Sequence, residues 1–268
     1  MIDSPYLAKP GKKFKLSSHK TDDKGEFNDK EDAEPVTKKH LERLDQLQEV
    51  LYAGRQHAIL VIFQAMDGGG KHGAIEHIFS GINPQGCGVT SFKKPSEVEA
   101  RHDFLWREHL AVPEKGMIGI FNRSHYEAVL VERVHNLVPK KRWQARYEHI
   151  NAFEKMLSDE GVTILKFFLH ISKDEQRERL QARLDNQEKH WKFDPNDIEE
   201  RKLWNEYQHA YEDVIAKCST EWAPWYVVPA DRKWFRNWVI GDTIVRTMEK
   251  LDLKFPAPVE GIRKYKIE

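Results

Sequence analysis

Cysteine is nearly missing from these 268 residues: only Cys87 and Cys218 occur, far apart and in neither a metal-type nor a redox-type spacing. Nothing in that pattern builds a cysteine-held metal or a redox pair, and a reduced compartment is the expectation. Net charge is missing too, with 43 Lys and Arg against 43 Asp and Glu. Bulk adhesion to nucleic acid or to an anionic membrane is therefore not expected, and any polyanion site has to be a local cluster. No apolar run approaches the roughly 20 residues that span a bilayer. The N-terminal "MIDSPYLAKPGKKFKL" carries no apolar targeting core. A soluble, cytoplasmic protein is expected, with neither nucleic acid nor membrane as partner.

What is present is enough apolar material, 40% of the residues, for one large α/β domain. Residues 1–36 are polar and lack periodicity, and read as an N-terminal arm before a domain over 37–268. From Val36, Leu41, Leu44, Leu47 and Leu51 recur at helical spacing up to Gly54. Five short apolar runs follow, "AILVIFQ", "GVTSF", "MIGIF", "VTILKFFLHI" and "WYVVP", separated by helical stretches. Buried strands alternating with helices predict a three-layer α/β fold with a parallel five-stranded sheet and helices on both faces. The aromatic stripes Trp143, Tyr147, Phe153 and Tyr207, Tyr211 read as core-facing helix surface, with no chemistry assigned. The charged segment at about 172–200, directly after the fourth strand, is where such an enzyme would hang a helical lid.

The first strand runs into "FQAMDGGGKHG", residues 63–73. A Walker A loop reads G-x-x-x-x-G-K-[ST] and places its last hydroxyl on Mg²⁺. Here Ala65 stands at the first glycine position and His72 at the hydroxyl position. The context, a buried strand before and a helix after, is still that of a phosphate loop. Amides of Gly68, Gly69, Gly70 and Lys71 would converge on phosphate oxygens, with Gly73 in the opening turn of the helix. Lys71 would add a point charge between phosphoryl groups. Imidazole is a poor ligand for Mg²⁺, which wants hard oxygens, so Asp67 is the expected metal ligand, for Mg²⁺ or alternatively Mn²⁺. His72 reads as a first-turn helix residue rather than a ligand.

The third strand ends in "IFNRSHYE", which offers Asn122 and Arg123, with Glu127 a turn later. Arg123 is placed to hold a second phosphate. Asn122 alone would equally be a strand-end cap, and Glu127 restores the charge that Asn122 lacks. In the lid segment Arg179 and Arg183 share a helix face, and cations delivered by a closing lid neutralise charge in phosphoryl transfer. Lys192 lies further along the same segment. Lys93, at the sheet edge where α/β proteins bind ligands, and Arg133, on the following helix, are further candidates, with surface solvation as the alternative for both.

Taken together, "FQAMDGGGKHG", "NPQGCGVTSFKKPS", "RHDFLWREH", "IFNRSHYEAVLVERVH", "ILKFFLHISKDEQRERLQARLDNQEKHWKF" and "APWYVVPADRKWFRNWV" resemble the polyphosphate kinase 2 family over nearly the whole chain from about residue 40. The resemblance implies a P-loop kinase-like fold that moves phosphoryl groups between inorganic polyphosphate and nucleotides with Mg²⁺. It assigns Asp67 and Lys71 to the Walker A acid and lysine, Arg123 to the arginine after the third strand, and Arg179 and Arg183 to the lid arginines. Asn122 with Glu127 is similar to the class III subgroup, which takes AMP to ADP and ADP to ATP. His72 departs from the family, which usually has Asp there. A homo-oligomer is expected from the same resemblance. The rivals are an ATP-dependent nucleoside monophosphate kinase and a non-catalytic polyphosphate or nucleotide sensor.

Overall fold

The computed structural model describes residues 1–267. Its strands are β1 (Leu7–Ala8), β2 (Ala58–Ala65), β3 (Cys87–Ser91), β4 (Ile118–Asn122), β5 (Val162–His170) and β6 (Trp225–Pro229). Its α-helices are α1 (Lys30–Gly54), α2 (Lys71–Phe79), α3 (Trp106–Leu110), α4 (Val131–Val134), α5 (Lys140–Asp159), α6 (Lys173–Asp185), α7 (Asn196–Lys202), α8 (Trp204–Cys218) and α9 (Lys233–Glu249).

The sheet corrects the expected five strands to six, in the order β1-β6-β5-β2-β4-β3. The five apolar runs are its parallel part, whereas β1 joins β6 antiparallel, Leu7 opposite Tyr226 and Ala8 opposite Trp225. A two-residue strand inside a polar arm has no periodicity to read, and its pairing is decided by the free edge of β6. All eight residues of β2 are buried. Alternation assigns them to two layers: Ile59, Val61 and Phe63 pack with Leu44, Leu47, Ile78, Val239 and Ile244, while Ala58, Leu60 and Ile62 pack with Phe153 and Leu157. Helices α1, α2 and α9 thus cover one face, and α5 lies on the other, where Tyr147, Ile150, Tyr211 and Val214 join it to α8.

One helix start differs from the sequence reading, and one helical stretch is interrupted. Helix α1 starts at Lys30, because the Asp29 carboxylate caps the Asp32 amide and Pro35 is accommodated in the second turn. The stretch from Ile198 to Cys218 is not one helix: it breaks at Leu203 (φ −89°, ψ 22°), whose amide turns back to Glu200 and Arg201. No helix of the described residues is long and apolar enough to cross a membrane.

The winding of the sheet positions the site. From β2 the chain crosses β4 to reach β3, and after β4 it returns past β2 to β5, so the carboxyl ends of β2 and β4 flank a crevice at the reversal.

Candidate active site

The loop between β2 and α2 bends through backbone that only glycine adopts cheaply: Gly68 has φ +76° and Gly70 φ +93°. Gly69 is required for a different reason, since a Cβ there would lie 2.5 Å from the Ala65 Cβ and 2.8 Å from the Met66 carbonyl. Within the loop the Gly69 amide is not free for phosphate, since it donates to the Met66 carbonyl at 2.9 Å, while the first amides of α2, which opens at Lys71, have no partner within the helix.

Around this loop the structure brings together Asp67, Lys71, Asn122, Arg123 and Glu127. The Arg123 Nη2 donates to Asp67 Oδ1 at 3.1 Å, and its backbone (φ +66°) is held by its N–H, which donates to the Phe63 carbonyl. Burial opposes the charge of Arg123, but the Glu127 and Asp67 carboxylates outweigh it and hold the guanidinium protonated. Glu127 Oε1 accepts from the buried Gln64 at 2.9 Å. Asn122 donates to Ser91 Oγ at 3.4 Å. Lys71 donates to the Ala65 carbonyl at 3.0 Å. Burial, reinforced by the Arg123 cation, lowers its pKa from 10.5 to about 8 against the pull of Asp67, Glu127 and Asp197.

The remaining expected residues are placed differently. Arg179 is nearly buried and fully engaged, donating to Glu175 (2.6 Å), the Gly68 carbonyl (3.1 Å) and the Ala230 carbonyl (2.5 Å). It fastens α6 to the phosphate loop. Arg183 bonds Asp197 of α7 at 2.6 Å, one carboxylate away from the crevice. Lys192 is exposed and rests over the Trp191 ring at 4.8 Å. Arg133 turns away, because Asp213 (2.8 Å) and the Tyr147 hydroxyl (3.0 Å) hold its guanidinium between α5 and α8. His72 is exposed on the first turn of α2, with only Glu76 at 3.9 Å, and Gly73 beside it is exposed as well. Lys93 is exposed at the rim of a cavity described next.

Two cavities meet at Arg123 and Glu127. One, of about 870 Å³, is lined by Phe92, Lys93, Lys94, Phe104, Glu108 and His125 among others. The second, of about 230 Å³, is lined by Asp67, Asp194, Asp197, Glu200, Tyr207 and Tyr211. Its acidity is legible in Asp197, whose pKa is raised by burial and then by Asp67. No three of these carboxylates and histidines are arranged as a ready-made metal cage among the described residues. A single Asp67 carboxylate beside phosphates and water suits Mg²⁺, which keeps much of its hydration shell.

Sequence reasoning missed Arg236 and Gln176. Arg236 lies 97% buried at the start of α9 and donates to the Gly70 carbonyl at 3.1 Å, with burial and Arg179 lowering its pKa to about 10. Gln176 donates to the Asp67 carbonyl at 2.7 Å and accepts from Arg201 at 2.7 Å. The signal for Arg236 was an arginine within the apolar "WFRNWVI" stretch, at a position facing the core.

A glycine loop on the central strand of a parallel sheet, with an acid inside it and a lysine opening the next helix, defines a P-loop phosphotransferase. The polyphosphate kinase 2 family model matches residues 26–256. The AMP/ADP-polyphosphate phosphotransferase of Meiothermus ruber is 53% identical, over 98% of this chain and 99% of that one. The ADP-polyphosphate phosphotransferase of Rhodopseudomonas palustris is 48% identical, over 89% of this chain and 86% of its own length. The crystal structure of polyphosphate kinase 2 from Arthrobacter aurescens TC1 superposes with a TM-score of 0.92 at 38% identity, covering 98% of this chain and 97% of that one. The chain belongs to the polyphosphate kinase 2 family and is a phosphotransferase of that kind.

Proposed function

We propose that this chain moves phosphoryl groups between inorganic polyphosphate and nucleotides, taking AMP to ADP and ADP to ATP with Mg²⁺ or Mn²⁺. The observation that carries the reading is that Arg123 and Glu127 line both cavities, so that a phosphoryl group between them touches two compartments. The larger cavity suits a nucleoside, with apolar and aromatic walls and Lys93 and Lys94 at its rim. The glycine loop suits the end of a polyphosphate chain.

In this arrangement an oxygen on the terminal phosphate of the nucleotide attacks the terminal phosphorus of the chain in line. A new P–O bond forms as the bridging P–O bond breaks, and its electron pair leaves on the shortened polyphosphate. Lys71 and the loop amides hold the equatorial oxygens, and Arg123 lies where the two phosphates meet. Asp67 would hold Mg²⁺, which would supply charge neutralisation between phosphoryl groups. No covalent enzyme intermediate is needed. Residues 172–200 act as the lid and Arg183 as its mobile cation, while Arg179 keeps the loop in shape. The open edge of β3, with Val89 exposed, leaves a surface for a second copy and supports a homo-oligomer.

The test is incubation with Mg²⁺, long-chain polyphosphate and AMP or ADP, with the nucleotides followed by chromatography. ADP and ATP should appear, and Asp67→Asn and Lys71→Ala should abolish transfer while circular dichroism stays unchanged. Turnover with ATP but not with polyphosphate as donor would replace this reading by a nucleoside monophosphate kinase.

A further inference from the structure

A run of glycines leaves the phosphate loop soft, and side chains from elsewhere clamp its carbonyl oxygens. Gln176 Nε2 donates to the Asp67 carbonyl at 2.7 Å, Arg179 Nη1 to the Gly68 carbonyl at 3.1 Å and Arg236 Nη1 to the Gly70 carbonyl at 3.1 Å. The first two come from α6, where Leu180 and Gln176 alone are buried; Arg236 comes from α9, whose buried residues run from Phe235 to Met248. It is the clamp set in the core.

The Arg236 guanidinium is fixed from both sides. Nε and Nη2 donate to Asn237 Oδ1 at 3.0 and 2.7 Å, and a Cβ on residue 70 would lie 2.3 Å from Nη1, so only glycine admits it there. The Gly70 carbonyl also accepts from the Ala74 amide at 3.0 Å, the first bond of α2, and Arg236 is the second donor to the same oxygen. In a trans peptide the N–H points opposite to the C=O, so holding this carbonyl toward α9 turns the Lys71 amide the other way. That amide has no partner within α2. A cation on the carbonyl also polarises the peptide and strengthens its N–H as a donor.

The charge of Arg236 goes unanswered by the protein. The side chain is 97% buried, and its charge is opposed by burial and by the Arg179 cation, with no carboxylate to offset them. A buried cation so placed is destabilising until an anion comes close.

We propose that Arg236 is a positioning residue for the donor phosphate: it holds the Gly70–Lys71 peptide with the Lys71 amide facing the bound phosphoryl group, and that group supplies the negative charge Arg236 lacks. The inference rests on the glycine loop taking the end of the polyphosphate chain. Arg236 lines neither of the two cavities, so nucleotide binding does not depend on it.

The experiment compares Arg236→Met, which keeps an unbranched side chain without charge or donors, with Arg236→Lys, which keeps the charge. With AMP saturating, kcat/KM for polyphosphate should fall about ten- to a hundredfold in Arg236→Met, the weight of a hydrogen bond to a charged group, and less than about tenfold in Arg236→Lys. KM for AMP, with polyphosphate saturating, should stay within about twofold of the wild type in both. An equal fall in the two variants, or a KM for AMP that rises as far as the polyphosphate value falls, would overturn the inference and leave Arg236 a structural residue. Selective isotopic labelling of lysine amides gives a reading that needs no variant. On adding tripolyphosphate with Mg²⁺ to the wild type, the Lys71 amide resonance should move downfield. A resonance that stays in place while tripolyphosphate raises the melting temperature would also overturn the inference. A wild type that phosphorylates no nucleotide from polyphosphate, and whose melting temperature ignores tripolyphosphate, would instead remove the functional reading beneath it.

Discussion

Lys71 carries a cost that its function explains. Its ammonium group is withdrawn from water and sits beside the Arg123 cation, which is why its pKa falls to about 8. The unfolded chain therefore holds this proton more tightly than the native site, and stability from this group rises with pH between about 8 and 10.5. Below that window the buried charge works against folding until a phosphate arrives to pair with it. With nucleotide saturating, kcat/KM for polyphosphate should be flat below about pH 8 and fall tenfold per pH unit above it, as a single lysine loses its proton. Lys71→Met should melt at a higher temperature than the wild type near pH 7 while losing transfer, a trade of activity for stability that a thermal melt checks. The loop was legible because its parts are contiguous: the strand, three glycines, Asp67 and Lys71 all lie within residues 58–71. Arg133 was misplaced because its fate depends on Asp213, eighty positions away, which no local pattern announces. His72, the odd letter in the loop, is explained by geometry, since the first turn of α2 turns it outward to solvent.

At the scale of elements, α6 and α7 are joined to the site by polar ties rather than by an apolar face. Leu180 and Gln176 are the only buried residues of α6, and α7 has none among the described residues. An element held this way opens at low cost, which is what a lid requires. Its two arginines have different employments. Arg179 spends its donors on three carbonyls, those of Gly68, Ala230 and Asp231, and on Glu175, so it sets the shape of the phosphate loop. Arg183 has one strong partner, Asp197, whose carboxylate also lines the acidic cavity. A phosphate chain reaching Arg183 would compete with Asp197 for the guanidinium. Arg183→Ala should therefore lower kcat by on the order of 10³, the range seen when a charge-neutralising arginine is lost. Asp197→Asn, which frees the arginine, should cost less than tenfold; equal losses in steady-state assays would reduce Arg183 to a strut between two helices. Helical periodicity gave α5 and most of α8 correctly, because their stripes are core contacts. It could not show the break at Leu203, where a local turn back to Glu200 interrupts a stripe that continues beyond it.

Across the whole molecule, the N-terminal segment is a structural layer of its own, and its composition hides this. Its polar residues face water while Ile2, Tyr6, Ala8 and Leu16 are buried, too widely spaced to register as a strand or a helix. The segment closes the β6 edge through β1, then passes Leu16 between the Glu212 carboxylate and an aromatic cluster with Trp225, Tyr211 and Phe168. Further on, the Thr21 carbonyl accepts from the Asp231 amide at 3.0 Å and the Asp22 carbonyl from Arg232 Nε at 3.0 Å. Residues 230–232 thus carry the segment on one side and Arg179 on the other, which links the far end of the sheet to the phosphate loop. Two neighbouring substitutions separate this role from surface electrostatics. Leu16→Ala removes a side chain 98% buried and should cost about 2–5 kcal/mol in urea denaturation. Lys15→Ala removes an ion pair to Glu212 whose lysine is 69% exposed, and should cost less than about 1 kcal/mol. If the two variants lose the same stability, the segment is held by charge at the surface; if Leu16 dominates, it is part of the core, and the six-stranded sheet is the unit that folds.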